Sequence, residues 1–134
     1  MNDDVTINRI AVIERCLARV REGYGDGRQF AGSYRVQDAV VLNLQRACEA
    51  AIDLAMHVVS VRRLGIPQDT RSEFSMLHEH AVIDAELALK MHKMIGFRNI
   101  AVHDYQSLSL AIVAEIAQHH LDEFTAFCTA IARA

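Results

Sequence analysis

Between Arg35 and Arg63 the chain carries Val36, Val40, Leu44, Ala47, Ala51, Leu54, Val58 and Val61, spaced at intervals of three and four residues. Only an α-helix returns such positions to one side, and the run is too long for a strand. A second apolar row, Val41, Cys48, Ile52, Ala55 and Val59, flanks the first. So wide a face predicts burial on two sides, by the helix's own bundle and by a second copy of the chain. Gly65-Ile66-Pro67 ends the helix, because glycine accepts the C-cap conformation and proline cannot continue the ladder.

The rest of the chain must supply partners for this helix. Ile10, Ile13, Leu17 and Val20 predict a first helix from near Val5 to before Gly23, with Arg9, Glu14, Arg19 and Arg21 on its outer side. Gly23, Gly25 and Gly27 then predict a loop to about Tyr34. Thr70-Arg71-Ser72-Glu73 has capping-box spacing, with Thr70 and Glu73 satisfying each other's backbone donors ahead of a short helix through Phe74 and Leu77. Ile83, Leu87, Met91 and Met94 mark a further helix that runs into Gly96. A last helix extends from about Ser107 to Arg133 through Leu108, Ile112, Ile116, Phe124, Phe127 and Ile131. The expectation is an all-α antiparallel bundle of about four to five helices, with residues 1–134 forming one domain.

Composition narrows the function classes. One proline, no tryptophan and many Ala, Leu, Ile and Val residues suit helices better than sheet. A net charge of −3 excludes binding of nucleic acid by overall charge, so any such contact must be local. Leu87 to His103 contains no Asp or Glu, while Lys90, Lys93 and Arg98 lie there with His92 and His103. Cys16, Cys48 and Cys128 are scattered thiols without disulfide spacing, which points to a reducing cytoplasm. The start Met1-Asn2-Asp3-Asp4 does not read as a signal peptide, and no apolar run is long enough to cross a bilayer.

Chemistry concentrates in Gly96-Phe97-Arg98-Asn99-Ile100-Ala101-Val102-His103-Asp104-Tyr105. Arg98 supplies a permanently charged fork suited to phosphate oxygens, and His103 a side chain that exchanges a proton near neutral pH. Tyr105 adds a modifiable hydroxyl. On an unbroken helix, residues five apart are rotated by about 140°, so Arg98 and His103 would not share a face, whereas Asn99 and His103 would. Three routes bring Arg98 and His103 to one phosphate: a break in the helix near Gly96, convergence of long side chains over a groove, or a two-fold axis joining two copies. The same residues also fit a capped, hydrogen-bonded helix junction with no catalytic task.

Other clusters carry less. His78 and His80, or His119 and His120 with Asp122 and Glu123, match neither zinc spacing nor the Glu-x-x-His repeats of di-iron bundles, so no metal or other cofactor is expected. Asp38, Glu49 and Asp53 on the long helix either line a cleft and steer Arg98 or form a solvated face. Met91 and Met94 read as core.

The run Arg98 to Tyr105 resembles the Arg-x4-His-x-Tyr motif of the HepT-like toxins, a branch of the HEPN superfamily. Val40-Val41-Leu42-Asn43-Leu44-Gln45-Arg46-Ala47 and Leu64-Gly65-Ile66-Pro67, followed by Phe74 and Leu77, are similar to that family as well. The resemblance implies a HEPN-like two-fold homodimer that cleaves RNA without a metal, as the toxin of a toxin-antitoxin system. It implies inactivation by a cognate MNT-type nucleotidyltransferase antitoxin that transfers AMP to the motif tyrosine. Arg98 and His103 would then be catalytic, Asn99 supporting, and Tyr105 the AMP acceptor; Asp38 is expected as a further supporting residue from its place on the long helix alone. The alternative is a non-catalytic helical subunit that holds a nucleotide or the surface of a nucleotidyltransferase.

Overall fold

The computed structural model describes residues 1–134. Seven α-helices and one 3-10 turn make up the chain: α1 (Asp4–Tyr24), α2 (Arg28–Gly32), α3 (Tyr34–Val61), α4 (Thr70–Glu79), α5 (Ala85–His103), the turn Tyr105–Ser107, α6 (Leu110–His119) and α7 (Leu121–Arg133). The 28-residue α3 is the longest, as its apolar stripe requires, and α1 packs along it. Helices α4, α5 and α7 also meet α3, and α5 packs on α4 and α7. The buried apolar side chains form one continuous cluster of 33 residues, in which the Phe74 and Phe127 rings meet at a tilt of 57° with their centres 5.5 Å apart. No helix is long and apolar enough to cross a membrane.

Five local expectations change. The first helix does not stop before Gly23; it runs to Tyr24 and ends where Gly25 takes φ 55°. The segment expected to be a loop contains α2, because Phe30 buries its ring against Tyr24 and Gln37 donates to the Phe30 carbonyl at 2.8 Å. A buried aromatic with its backbone oxygen satisfied fixes a stretch that glycine content alone would leave free. At the other end of α3, Arg63 rather than Gly65 takes the first left-handed conformation, at φ 53°. Its N–H bonds to Ser60 O and that of Leu64 to Val59 O, a Schellman closure that leaves Gly65-Ile66-Pro67 outside the helix.

The capping box of α4 uses Asp69 and Ser72, not Thr70 and Glu73. Asp69 Oδ1 accepts from Ser72 N at 2.8 Å, and Ser72 Oγ accepts from Asp69 N at 3.0 Å. Glu73 is thereby released from the helix end and turns inward. The last helix divides at His119 and His120, where the ladder closes on Ile116 O. The divided last helix and the small α2 account for the count of seven in place of the expected four to five.

Candidate functional site

Helix α5 places the chemistry. It continues without interruption through Gly96 to His103, and the Asp104 N–H closes it on Ile100 O at 2.9 Å. A break near Gly96 is therefore absent, and the rotation between Arg98 and His103 is that of a regular helix. Arg98 stands in the stripe of Met91, Met94, Ile95 and Ala101 that faces the core, and His103 is exposed on the next stripe with His92, Gly96 and Asn99. One copy of the chain does not align the two side chains on a shared face.

The α3–α5 register puts further polar groups beside the motif. Tyr105 Oη donates to Asp38 Oδ1, and Cys48 Sγ donates to Met94 O at 3.7 Å. The two helices thus run antiparallel, and Asn43, midway between Asp38 and Cys48, stands level with Arg98 and Asn99. Only three buried side-chain polar atoms in the protein lack a hydrogen-bond partner: Asn43 Oδ1, Glu73 Oε2 and Arg98 Nε. Unpaired buried polar atoms cost stability, and folded proteins keep few of them away from functional sites. Sequence reading missed Glu73, although a carboxylate inside the apolar row with Phe74 and Leu77 was a visible signal.

Burial raises the Glu73 carboxyl from its ordinary 4.5 to about 7; Asp53 and Asp69 add to the rise, and the Arg98 charge opposes it. Proton linkage has a definite sign here. The folded state holds the proton up to about pH 7 while the unfolded state releases it near 4.5, so Glu73 costs no stability below pH 4.5. Stability is lost as the pH rises through 7. Glu73→Gln is expected to melt with the wild type at pH 4 and above it at pH 8, by at most roughly 3 kcal/mol. Thermal melts at the two pH values check this, and an equal difference at both would contradict it.

Tyr105 lies half-exposed in the 3-10 turn just past α5. Its hydrogen bond to Asp38, followed by partial burial and the Asp38 charge, raises the phenol to about 12. The hydroxyl is therefore held neutral and aimed at a carboxylate able to accept its proton. Asp38, Arg98, Asn99, His103 and Tyr105 all sit at one end of the α3–α5 pair, and the one side-chain hydrogen bond among them is that of Tyr105 to Asp38.

The remaining candidates have structural partners. His120 pairs with Glu115 at 3.6 Å and Glu123 at 2.7 Å, and His78 Nδ1 lies 3.4 Å from Ile83 O. Glu49 and Asp53 are exposed along α3 and together with Arg46 line a shallow surface depression. All three cysteines are free and buried, and burial drives the Cys48 and Cys128 thiols up to about 12, far from a reactive thiolate. Two clefts, of about 800 and 580 Å³, lie along α5, α6 and α7 and include none of Arg98, Asn99, His103 or Tyr105. His103 and Tyr105 stand exposed at the end of α5 with Arg98 half-buried beneath them, an arrangement that suits a polymer better than an enclosed small molecule.

Comparison with known proteins agrees with this geometry. The sequence profile of the ribonuclease HepT-like family matches residues 13–131. The mRNA nuclease HepT of Shewanella oneidensis is 49% identical over 129 residues, which span 96% of this chain and 97% of that protein. Among solved structures, a tri-AMPylated S. oneidensis HEPN toxin in complex with its MNT antitoxin superposes with a TM-score of 0.96 at 47% identity, covering 99% of this chain and all of the other. A toxin-antitoxin crystal structure with AMP-PNP gives 0.95 at 47% identity, covering 98% of this chain and all of the other. The cytosolic protein YutE of Bacillus subtilis, at 15% identity and a TM-score of 0.83, shares the fold over 96% of this chain and 86% of its own. With its Arg-x4-His-x-Tyr run at the end of an unbroken helix and near-complete coverage of these relatives, the chain belongs to the HepT-like ribonucleases of the HEPN class.

Proposed function

We propose that the protein is a toxin endoribonuclease of the cytoplasm, active as a two-fold dimer and silenced by AMP transfer from an MNT-type nucleotidyltransferase antitoxin. The observation that carries this reading is the placement of a half-buried Arg98 and an exposed His103 beside a Tyr105 tethered to Asp38. RNA supplies its own nucleophile: the 2′-oxygen bonds to the adjacent phosphorus as the bond to the 5′-oxygen breaks, leaving a cyclic phosphate. One group takes the 2′-hydroxyl proton and another protonates the leaving 5′-oxygen, while cations hold the charge that develops on phosphate. The His103 side chains of two copies divide the proton transfers, and Arg98 holds the phosphate. Pairing across a two-fold axis answers the rotation between them, and Asn99, on the His103 stripe, fixes the substrate beside the imidazole.

For silencing, the Tyr105 oxygen attacks the α-phosphorus of ATP as the bond to pyrophosphate breaks. Asp38 takes the phenol proton in that step, which a phenol raised to about 12 requires. The attached phosphate then lies two residues from His103 and pairs with Arg98, filling the site. The Shewanella toxin in the solved complex is tri-AMPylated, which supports this reading.

Expression without the antitoxin is expected to arrest growth with fragmented RNA. Co-expression with the nucleotidyltransferase is expected to restore growth and to place an AMP-sized adduct on Tyr105 by mass spectrometry. Tyr105→Phe should carry no adduct and stay active when the partner is present. Intact RNA and normal growth with the wild type alone would instead favour the non-catalytic partner-binding role. Adducts confined to other residues would refute the assignment of Tyr105.

A further inference from the structure

Resting on the ribonuclease reading, we infer that Arg71 forms a second phosphate subsite, holding a backbone phosphate next to the one that is cut. Arg71 is on α4, outside the motif, and its guanidinium lies across α5 at Gly96. A Cβ at Gly96 would stand 3.3 Å from Arg71 Nη2, closer than ordinary van der Waals contact. The missing side chain thus makes room for the guanidinium against the helix. Gly96, Asn99 and His103 follow one another at three and four residues, so Arg71 rests on the stripe that carries His103 rather than on that of Arg98. Seven residues separate Gly96 from His103, about 10 Å along the axis. That separation places Arg71 beyond the reacting phosphate and on its neighbour along the strand.

The base of the Arg71 side chain is pinned while its tip is free. His92 Nε2 lies 3.0 Å from the Arg71 carbonyl oxygen, and Ser75 Oγ donates to the same oxygen at 3.3 Å. Arg71 is exposed and takes part in none of the six ion pairs of the protein. Of the twelve arginines only Arg21 and Arg28 make ion pairs, so what sets Arg71 apart is the α5 segment under it, which from Leu87 to His103 contains no Asp or Glu. An unpaired guanidinium over an acid-free stretch is placed to accept an anion, and its planar fork suits a phosphate.

The test uses the full-length protein and a fluorescein-labelled single-stranded oligouridylate of about 12 nucleotides, within the usual footprint of single-strand binders. Binding is measured on the uncleaving His103→Ala background at several salt concentrations, and cleavage on the otherwise native chain. Arg71→Gln is expected to weaken binding about tenfold and to lower the slope of log K against log salt by about 0.7, one phosphate contact on a single strand. In cleavage, KM should rise by a similar factor with kcat nearly unchanged. Gly96→Ala, which crowds the guanidinium without removing it, should move both quantities in the same direction by a smaller factor.

Unchanged affinity and salt slope in Arg71→Gln, with normal wild-type cleavage, would overturn the subsite alone. A fall in kcat without a change of slope would instead mark Arg71 as a support for α5. Normal RNA binding with a weakened nucleotidyltransferase complex would make it a contact for that protein, and either result overturns the proposal. A wild type that neither binds nor cuts the oligonucleotide would overturn the ribonuclease reading, and the subsite with it.

Discussion

Replacing His103 with alanine is expected to lower RNA cleavage by about 10²- to 10⁴-fold, the usual contribution of a positioned proton donor or acceptor. The fold should survive, because His103 is exposed at the last residue of α5 and makes no side-chain hydrogen bond or ion pair. Exposed side chains away from packing contacts usually change stability by no more than about 0.5 kcal/mol when replaced. Cleavage of a labelled RNA, measured beside a thermal melt, separates the two effects. Relief of toxicity with an unshifted melting temperature is the expected result. Undiminished cleavage by His103→Ala would remove the imidazole from the mechanism. Mixing His103→Ala with Arg98→Ala chains probes the two-fold arrangement: if one copy's imidazole works with the other's guanidinium, the mixture recovers part of the activity that each variant lacks.

Arg98→Lys is expected to lower kcat/KM by about 10²- to 10³-fold, although the charge is kept. Arg98 stands half-buried in the core-facing stripe of α5 with its Nε already inside, so only the outer part of the fork reaches the surface. A lysine ammonium is a point donor on a flexible stem and cannot present two fixed N–H groups from that depth. The charge itself has a second task, since it counters the rise of the Glu73 carboxyl. Arg98→Ala removes that opposition, so Glu73 should take up its proton more readily and the pH-dependent loss of stability should move to higher pH. Arg98→Lys retains much of it. A melt that matches the wild type together with lost cleavage is therefore the expected signature of Arg98→Lys.

The body of the long helix was legible because its two apolar rows span many turns, although its closure at Arg63 was not. Boundaries were less legible where tertiary contacts decided them. Phe30 and Gln37 built α2 within a glycine-rich stretch, and Asp69 displaced Thr70 as the cap of α4. The first depends on packing that local propensity does not contain, whereas the Asp69–Ser72 box is itself local and was legible one residue ahead of the Thr70–Glu73 spacing. The motif itself could be read from Arg98, Asn99, His103 and Tyr105, as could the rotation that separates Arg98 from His103. Glu73 was hidden by its resemblance to a capping residue, and Arg71 by its distance from the motif. Gly96 looked like a helix breaker because its second use, making room for a side chain from α4, requires the packed α4–α5 pair.

The bond from Tyr105 to Asp38 fastens the turn after α5 to the first turns of α3. A phenol oxygen bonded to phosphorus has no proton left to give, so writing the mark on Tyr105 and keeping that fastening are mutually exclusive. A chain that carried the proposed mark on Tyr105 would differ from the free one in two respects at once: it would gain an anion and lose a latch. Reversal would then require both removal of the group and re-docking of the turn on α3, so the proposed silenced form would be a distinct conformational state and not merely the native surface with an added weight.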